Sequence, residues 1–156
     1  RISSLRPNAY RLAGEISDGA ISWLNPIDYI VSVGIPAMEE GSLQAGRPRP
    51  PMIAHVPVAI STDRSGARTA SREQFPVYGR LPFYAEMFAL AGYPVDADGR
   101  MSDGLVDDLL VSGTADQVRD RLQVIESRGI DELLISHVPV IDEDRELEAL
   151  SAVIVG

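Results

Sequence analysis

Ser3-Ser4-Leu5-Arg6 stands directly before Pro7, and it is the first place along the chain where residue types could do chemistry. Proline is well tolerated at the first helical position, so a helix starts here. A helix start offers unpaired backbone N–H groups and the positive end of the helix dipole to an anion. Two hydroxyls and a guanidinium add donors of the kind a phosphate takes. The same residues also read as a plain helix cap beside a solvated arginine. A second group is Ser22-Trp23-Leu24-Asn25, whose indole can stack on a planar ring or simply plug a cavity mouth. The third is an echo, Ile53-Ala54-His55-Val56-Pro57-Val58 against Ile135-Ser136-His137-Val138-Pro139-Val140. His137 falls near the end of its segment, where an imidazole can move a proton, and it is the candidate catalytic residue. His55 is followed by more strand-like sequence and reads as a packed core histidine.

Much other chemistry is excluded by inventory. The chain has no Cys, and all 14 basic residues are Arg, so thiolate, iron–sulfur, Schiff-base and Walker-lysine chemistry have no residues to use. Two His without an adjacent carboxylate do not make a metal set, and no metal is expected. The acidic loop Asp96-Ala97-Asp98-Gly99-Arg100-Met101 has calcium-like spacing but puts Met101 where such loops need Gly. No nucleophile elbow or Ser-His-Asp order supports hydrolysis. A net charge of −9 argues against nucleic acid as a partner. No apolar run approaches a membrane span and no export segment is evident, so no membrane partner and a cytoplasmic address are expected.

The elements that must hold these residues alternate. Strands are expected at about 1–5, 20–24, 52–61 and 131–138, and helices at 7–17, 26–45, 63–92, 103–111, 115–128 and 143–154. Ala9, Leu12, Ala13 and Ile16 share one face of the first helix, and Asp18-Gly19 ends it before the short apolar strand. Pro36 should kink or split the second helix. Thr114-Ala115-Asp116-Gln117 is a capping box, and Gly129 terminates the helix that follows. Ser61-Thr62-Asp63 should cap the next helix, and Phe75, Tyr78, Phe83, Tyr84 and Phe88 read as packing. Strands separated by helices give an α/β fold with a parallel sheet in sequential order, and no G-x-G-x-x-G marks a doubly wound sheet. Ile2 to Leu5 read as the end of a strand that starts upstream, so the chain is expected to be part of a longer protein.

Ser4-Leu5-Arg6-Pro7, Leu12-Ala13-Gly14-Glu15-Ile16 and Asp18-Gly19-Ala20-Ile21-Ser22-Trp23 together resemble the second half of the bacterial luciferase-like monooxygenase superfamily, in particular its deazaflavin (coenzyme F420)-dependent oxidoreductases. Gln44-Ala45-Gly46-Arg47-Pro48, Pro57-Val58, Tyr78-Gly79-Arg80-Leu81-Pro82-Phe83-Tyr84 and the Gly113–Gly129 helix fit the family's order, so the resemblance runs along nearly the whole chain. It implies the C-terminal half, about four βα units, of a (β/α)₈ barrel, with Asp18-Gly19 at the bottom and ligands at the top. It also implies hydride transfer between F420, or alternatively FMN, and a small organic substrate. Ser3, Ser4, Leu5, Arg6, Ser22, Trp23, Leu24 and Asn25 would then line the cofactor's phosphate and ring. A half-barrel should associate with a second copy or with the missing N-terminal half. A non-catalytic module that self-associates is the competing expectation.

Overall fold

The computed structural model describes residues 1–155. It is a parallel α/β sheet wrapped by helices. The elements in chain order are β1 (Ile2–Ser3), α1 (Pro7–Ile16), β2 (Ala20–Ser22), α2 (Ile27–Tyr29), a π-helical segment (Ile30–Gly34), α3 (Ile35–Gln44) and β3 (Met52–Ala59). They continue with α4 (Arg64–Gln74), a 3₁₀ turn (Tyr78–Arg80), α5 (Pro82–Leu90), α6 (Asp103–Leu109), β4 (Val111–Ser112), α7 (Ala115–Glu126), β5 (Glu132–His137) and α8 (Glu143–Val155).

Every strand pair is parallel, and β1, β2, β3 and β5 lie in sequential order as expected. The sheet has five strands rather than four. The end of the helix expected at 103–111 turns into β4, which is too short to show any periodicity, and pairs with the top of β3 through Val58↔Val111 and Ala59↔Ser112. Val58 also pairs with His137 across its other edge, so β4 sits above β2 on the side that β2 leaves free. Among the described residues β1 pairs only with β2 and β5 only with β3, leaving two open edges.

Pro36 breaks the second helix in an identifiable way. It has no N–H to donate, and just before it the ladder widens, so that the Ile35 N–H bonds to the Ile30 carbonyl five residues back. The region 63–92 divides at Phe75 into α4, the 3₁₀ turn and α5. Thr114 and Gln117 form the expected reciprocal capping box.

Met52, Ala54, Val56 and Val58 of β3 face the helices and join the main apolar core with Met38, Leu105, Val106 and Val118. Side chains alternate along a strand, so Ile53, His55 and Pro57 face the other way, into the half-barrel. Glycine decides how closely α1 can approach α3. A Cβ on Gly14 would lie 2.0 Å from the Met38 carbonyl oxygen, and one on Gly41 would lie 2.0 Å from that of Arg11. At the bottom, Asp131 accepts two bonds from Arg49, at 3.0 and 3.3 Å, and one from the Met52 N–H at 2.8 Å, joining β3 to β5. No helix among the described residues is long and apolar enough to cross a membrane.

Candidate functional site

A cleft of about 610 Å³ opens where β1 hands over to α1. Ser3, Leu5, Arg6 and Asn8 form one side, and Phe83, Glu86 and Leu90 of α5 form the other. Arg6 is the N-cap of α1 in extended backbone geometry, and its Nη1 donates to Glu86 Oε2 at 2.5 Å. Fewer backbone donors are free here than a helix start suggests. Pro7 has none, and the Ala9 and Tyr10 N–H groups both donate to the Arg6 carbonyl, leaving Asn8. The guanidinium is therefore the main cationic donor of this corner, and it is paired with Glu86.

Behind the cleft lies a buried polar group with unmet capacity. Asn25 Nδ2 donates to Tyr10 Oη at 2.7 Å and to the Leu5 carbonyl at 3.4 Å, tying the end of β2 to the end of β1, while its Oδ1 has no partner. Tyr29 is 3% exposed and its hydroxyl has no partner. Burial raises the Tyr29 pKa, Arg6 opposes the rise and Glu86 adds to it, so this phenol senses both charges at the cleft mouth. Burial likewise raises Tyr10 far above the usual phenol range. Both are neutral hydrogen-bonding groups at any ordinary pH.

A second group lies on the inner face. The rings of Trp23 and His55 stack, with centroids 3.6 Å apart and planes within 9°. His55 Nε2 is 2.9 Å from Ser136 Oγ, and Phe75 meets the imidazole edge-on at 5.9 Å. Phase along the sheet makes this possible, because His55 pairs with Leu134 and Pro57 with Ser136, all on one face. Burial pushes the His55 pKa down to about 4, so the imidazole is neutral at physiological pH. From Phe75 the aromatic contacts continue through Tyr78 and Tyr84 to Phe88, which are packing as expected, whereas Phe83, expected as packing too, is 45% exposed and lines the cleft at the β1–α1 junction.

The sequence candidates separate accordingly. Ser3, Leu5 and Arg6 line the cleft, and Asn25 braces it. Ser4 is buried, and its hydroxyl lies within bonding distance of the Ile2 and Ala9 carbonyls rather than facing the cleft. Ser22 is likewise buried and donates to the Ile53 carbonyl. Leu24 is buried with φ +52, a left-handed turn that ends β2 and swings Asn25 back toward Tyr10. Trp23 belongs to the inner face with His55.

His137 ends β5 as expected, but it pairs with Val58 and so points toward the helices. Its Nε2 lies 3.6 Å from Glu146. Burial raises the Glu146 pKa, but N–H bonds from Val140, Ile141 and Asp142, together with His137, outweigh it and leave the carboxyl below its ordinary value. The echo of the two histidine motifs misleads because the β3–β5 register offsets them by an odd number of residues, which places the two imidazoles on opposite faces. His55 is buried, as a core histidine should be, yet it is the one turned to the inner face. Glu86, Tyr29 and Ser136 carry no signal in the sequence, since each gains its meaning from a partner far along the chain.

Residues 2–132 match the luciferase-like monooxygenase family. No curated protein sequence matches significantly. Among solved structures, an F420-dependent secondary alcohol dehydrogenase in complex with an F420-acetone adduct is 17% identical, with TM-score 0.75 over 97% of this chain and 46% of its own. The coenzyme F420-dependent tetrahydromethanopterin reductase from Methanopyrus kandleri is 20% identical, with TM-score 0.60 over 95% of this chain and 47% of its own. EDTA monooxygenase from Chelativorans sp. BNC1 is 16% identical, with TM-score 0.62 over 99% and 43%. The chain thus spans less than half the length of each, and the likeness extends to a shared half-barrel architecture.

Proposed function

The chain belongs to the luciferase-like monooxygenase family, and from that premise we propose that it supplies the C-terminal half-barrel of an oxidoreductase moving a hydride between a deazaflavin of the F420 type and a small organic substrate. The observation that carries this reading is the cleft at the β1–α1 junction. It combines one guanidinium with exposed apolar walls and lies beside buried polar groups with unmet hydrogen-bonding capacity. A ligand with an anionic end and a planar body suits that donor set.

The residues fit such a cofactor in distinct roles. Arg6 and the Asn8 N–H would hold the phosphate, with Ser3 as an added donor. Asn25 fixes the junction that presents them. Trp23, stacked on a neutral His55, offers a flat face without a charge to desolvate. Phe75, set against the imidazole, would cover its edge. When bound, the deazaflavin supplies the hydride chemistry, and the protein supplies binding and orientation. FMN would use the same phosphate contacts, and a flavin monooxygenase is the second reading. It is favoured by a structural neighbour, the oxygenating constituent of 3,6-diketocamphane monooxygenase in complex with FMN, at 19% identity and TM-score 0.58. The two open edges of the sheet would be closed by four further βα units, or by a second copy of the chain.

Equilibrium titration of the chain, and of a protein that also carries the missing strands, with F420 and FMN tests the reading. The expected outcome is binding by the complete barrel and weak or no binding by the half alone. A complete barrel that takes up neither cofactor would overturn it.

A further inference from the structure

Arg6, the main cationic donor of the cleft, already holds an anion of the chain's own. Its Nη1 meets Glu86 Oε2 at 2.5 Å across the cleft mouth, and both side chains are about half exposed, 48% and 57%. No other acid pairs with Arg6, and no other base with Glu86, among the described residues. Tyr84, Met87 and Phe88 hold the helix that carries Glu86 in the core, but its cleft-facing side is sparsely covered. Leu12 of α1 and Phe83 and Leu90 of α5 line the same cleft and remain 43%, 45% and 60% exposed. The ion pair is thus the polar tie between α5 and the β1–α1 junction. Nearby, the Tyr29 hydroxyl is buried and has no hydrogen-bond partner.

We propose that Glu86 is an internal competitor for the anionic group of the ligand: its carboxylate occupies Arg6 in the free chain, and a phosphate bound there displaces it and frees the Glu86 side chain. This rests on the reading of the cleft as the phosphate end of a cofactor site. For FMN or free phosphate the exchange is favourable in charge, since a phosphate monoester brings roughly −1.5 to −2 against a single negative charge. It is also mild, because an exposed ion pair is weak and yields without unfolding anything. Glu86 then lowers affinity for any anion that binds Arg6.

Glu86→Gln tests this, with FMN, inorganic phosphate and riboflavin, which lacks the phosphate, as probes. Affinities are read by calorimetry, and amide hydrogen exchange is followed along α5. The proteins are the chain and the complete barrel that contains it. Glu86→Gln should tighten FMN and inorganic phosphate by about two- to fivefold, the worth of an exposed ion pair, and leave riboflavin unchanged. Exchange along α5 should change little on phosphate binding in either protein, because Tyr84, Met87 and Phe88 keep the helix in the core. If FMN is preferred over riboflavin but binds parent and variant equally, the competition is refuted while the phosphate reading stands. If neither protein prefers FMN over riboflavin, Arg6 is no phosphate site and both readings fall.

Discussion

Lowering the pH should destabilise the fold through one imidazole. His55 is 2% exposed, stacked on Trp23, and its pKa is pushed from 6.5 down to about 4 by burial. A histidine with a depressed folded pKa binds fewer protons folded than unfolded, so stability falls as pH drops through the window from 6.5 to 4. At pH 5 the unfolded chain is mostly protonated at this site and the folded chain mostly not. The linkage relation then gives a loss of about 2 kcal/mol relative to pH 7.5. The carboxylates whose pKa values are lowered, Asp103, Asp107 and Glu146, contribute their own losses only at more acid pH, so the window down to pH 5 belongs chiefly to histidine. Urea unfolding at pH 7.5, 6 and 5 measures it. The single tryptophan of the chain is Trp23, so its fluorescence reports at the stack itself. His55→Phe keeps an aromatic ring against the indole and removes the proton site, and should flatten the profile. A parent protein whose stability changes by less than about 0.5 kcal/mol over this range, or a variant with the same slope, would refute the argument.

Three further outcomes follow from particular contacts. In a complete barrel, Arg6→Ala should weaken binding of a phosphate-bearing cofactor by about 1.5 to 3 kcal/mol, tenfold or more, with the melting temperature nearly unchanged; calorimetry and thermal unfolding separate the two. Gly14→Ala should destabilise by about 1 to 3 kcal/mol despite the better helix propensity of alanine, because its Cβ meets the Met38 carbonyl at 2.0 Å and must push α1 off α3; chemical denaturation measures it. Thr114→Ala removes the cap that accepts the Gln117 N–H and should cost about 1 kcal/mol in the same assay.

The sequence by itself determined what local chemistry determines. The Thr114–Gln117 box and Gly129 fix where helices start and stop, because caps and glycine turns act within a few residues. The first helix instead ends at Ile16 with Ser17 as its C-cap, and Gly19 does not take the left-handed conformation expected to close it. Strands separated by helices point to a parallel sheet, and the half-barrel follows from the resemblance to the luciferase-like family rather than from the pattern alone. The Ser3–Arg6 segment reads either as a helix cap beside a solvated arginine or as an anion-binding corner, both for a local reason, a guanidinium at a helix start. Which side chains share that corner was a different matter. Glu86 reaches Arg6 from 80 residues away, and Tyr29 acquires its place only when α2 packs behind the cleft. Two nearly identical histidine motifs diverged because strand register, set by the packing of β3 on β5, turns one imidazole to the inner face and the other to the helices. Register is a long-range property in which a shift of one residue exchanges the faces of a strand. The tertiary structure alone therefore decided that His55, Trp23 and Ser136 stand together and that His137 stands apart.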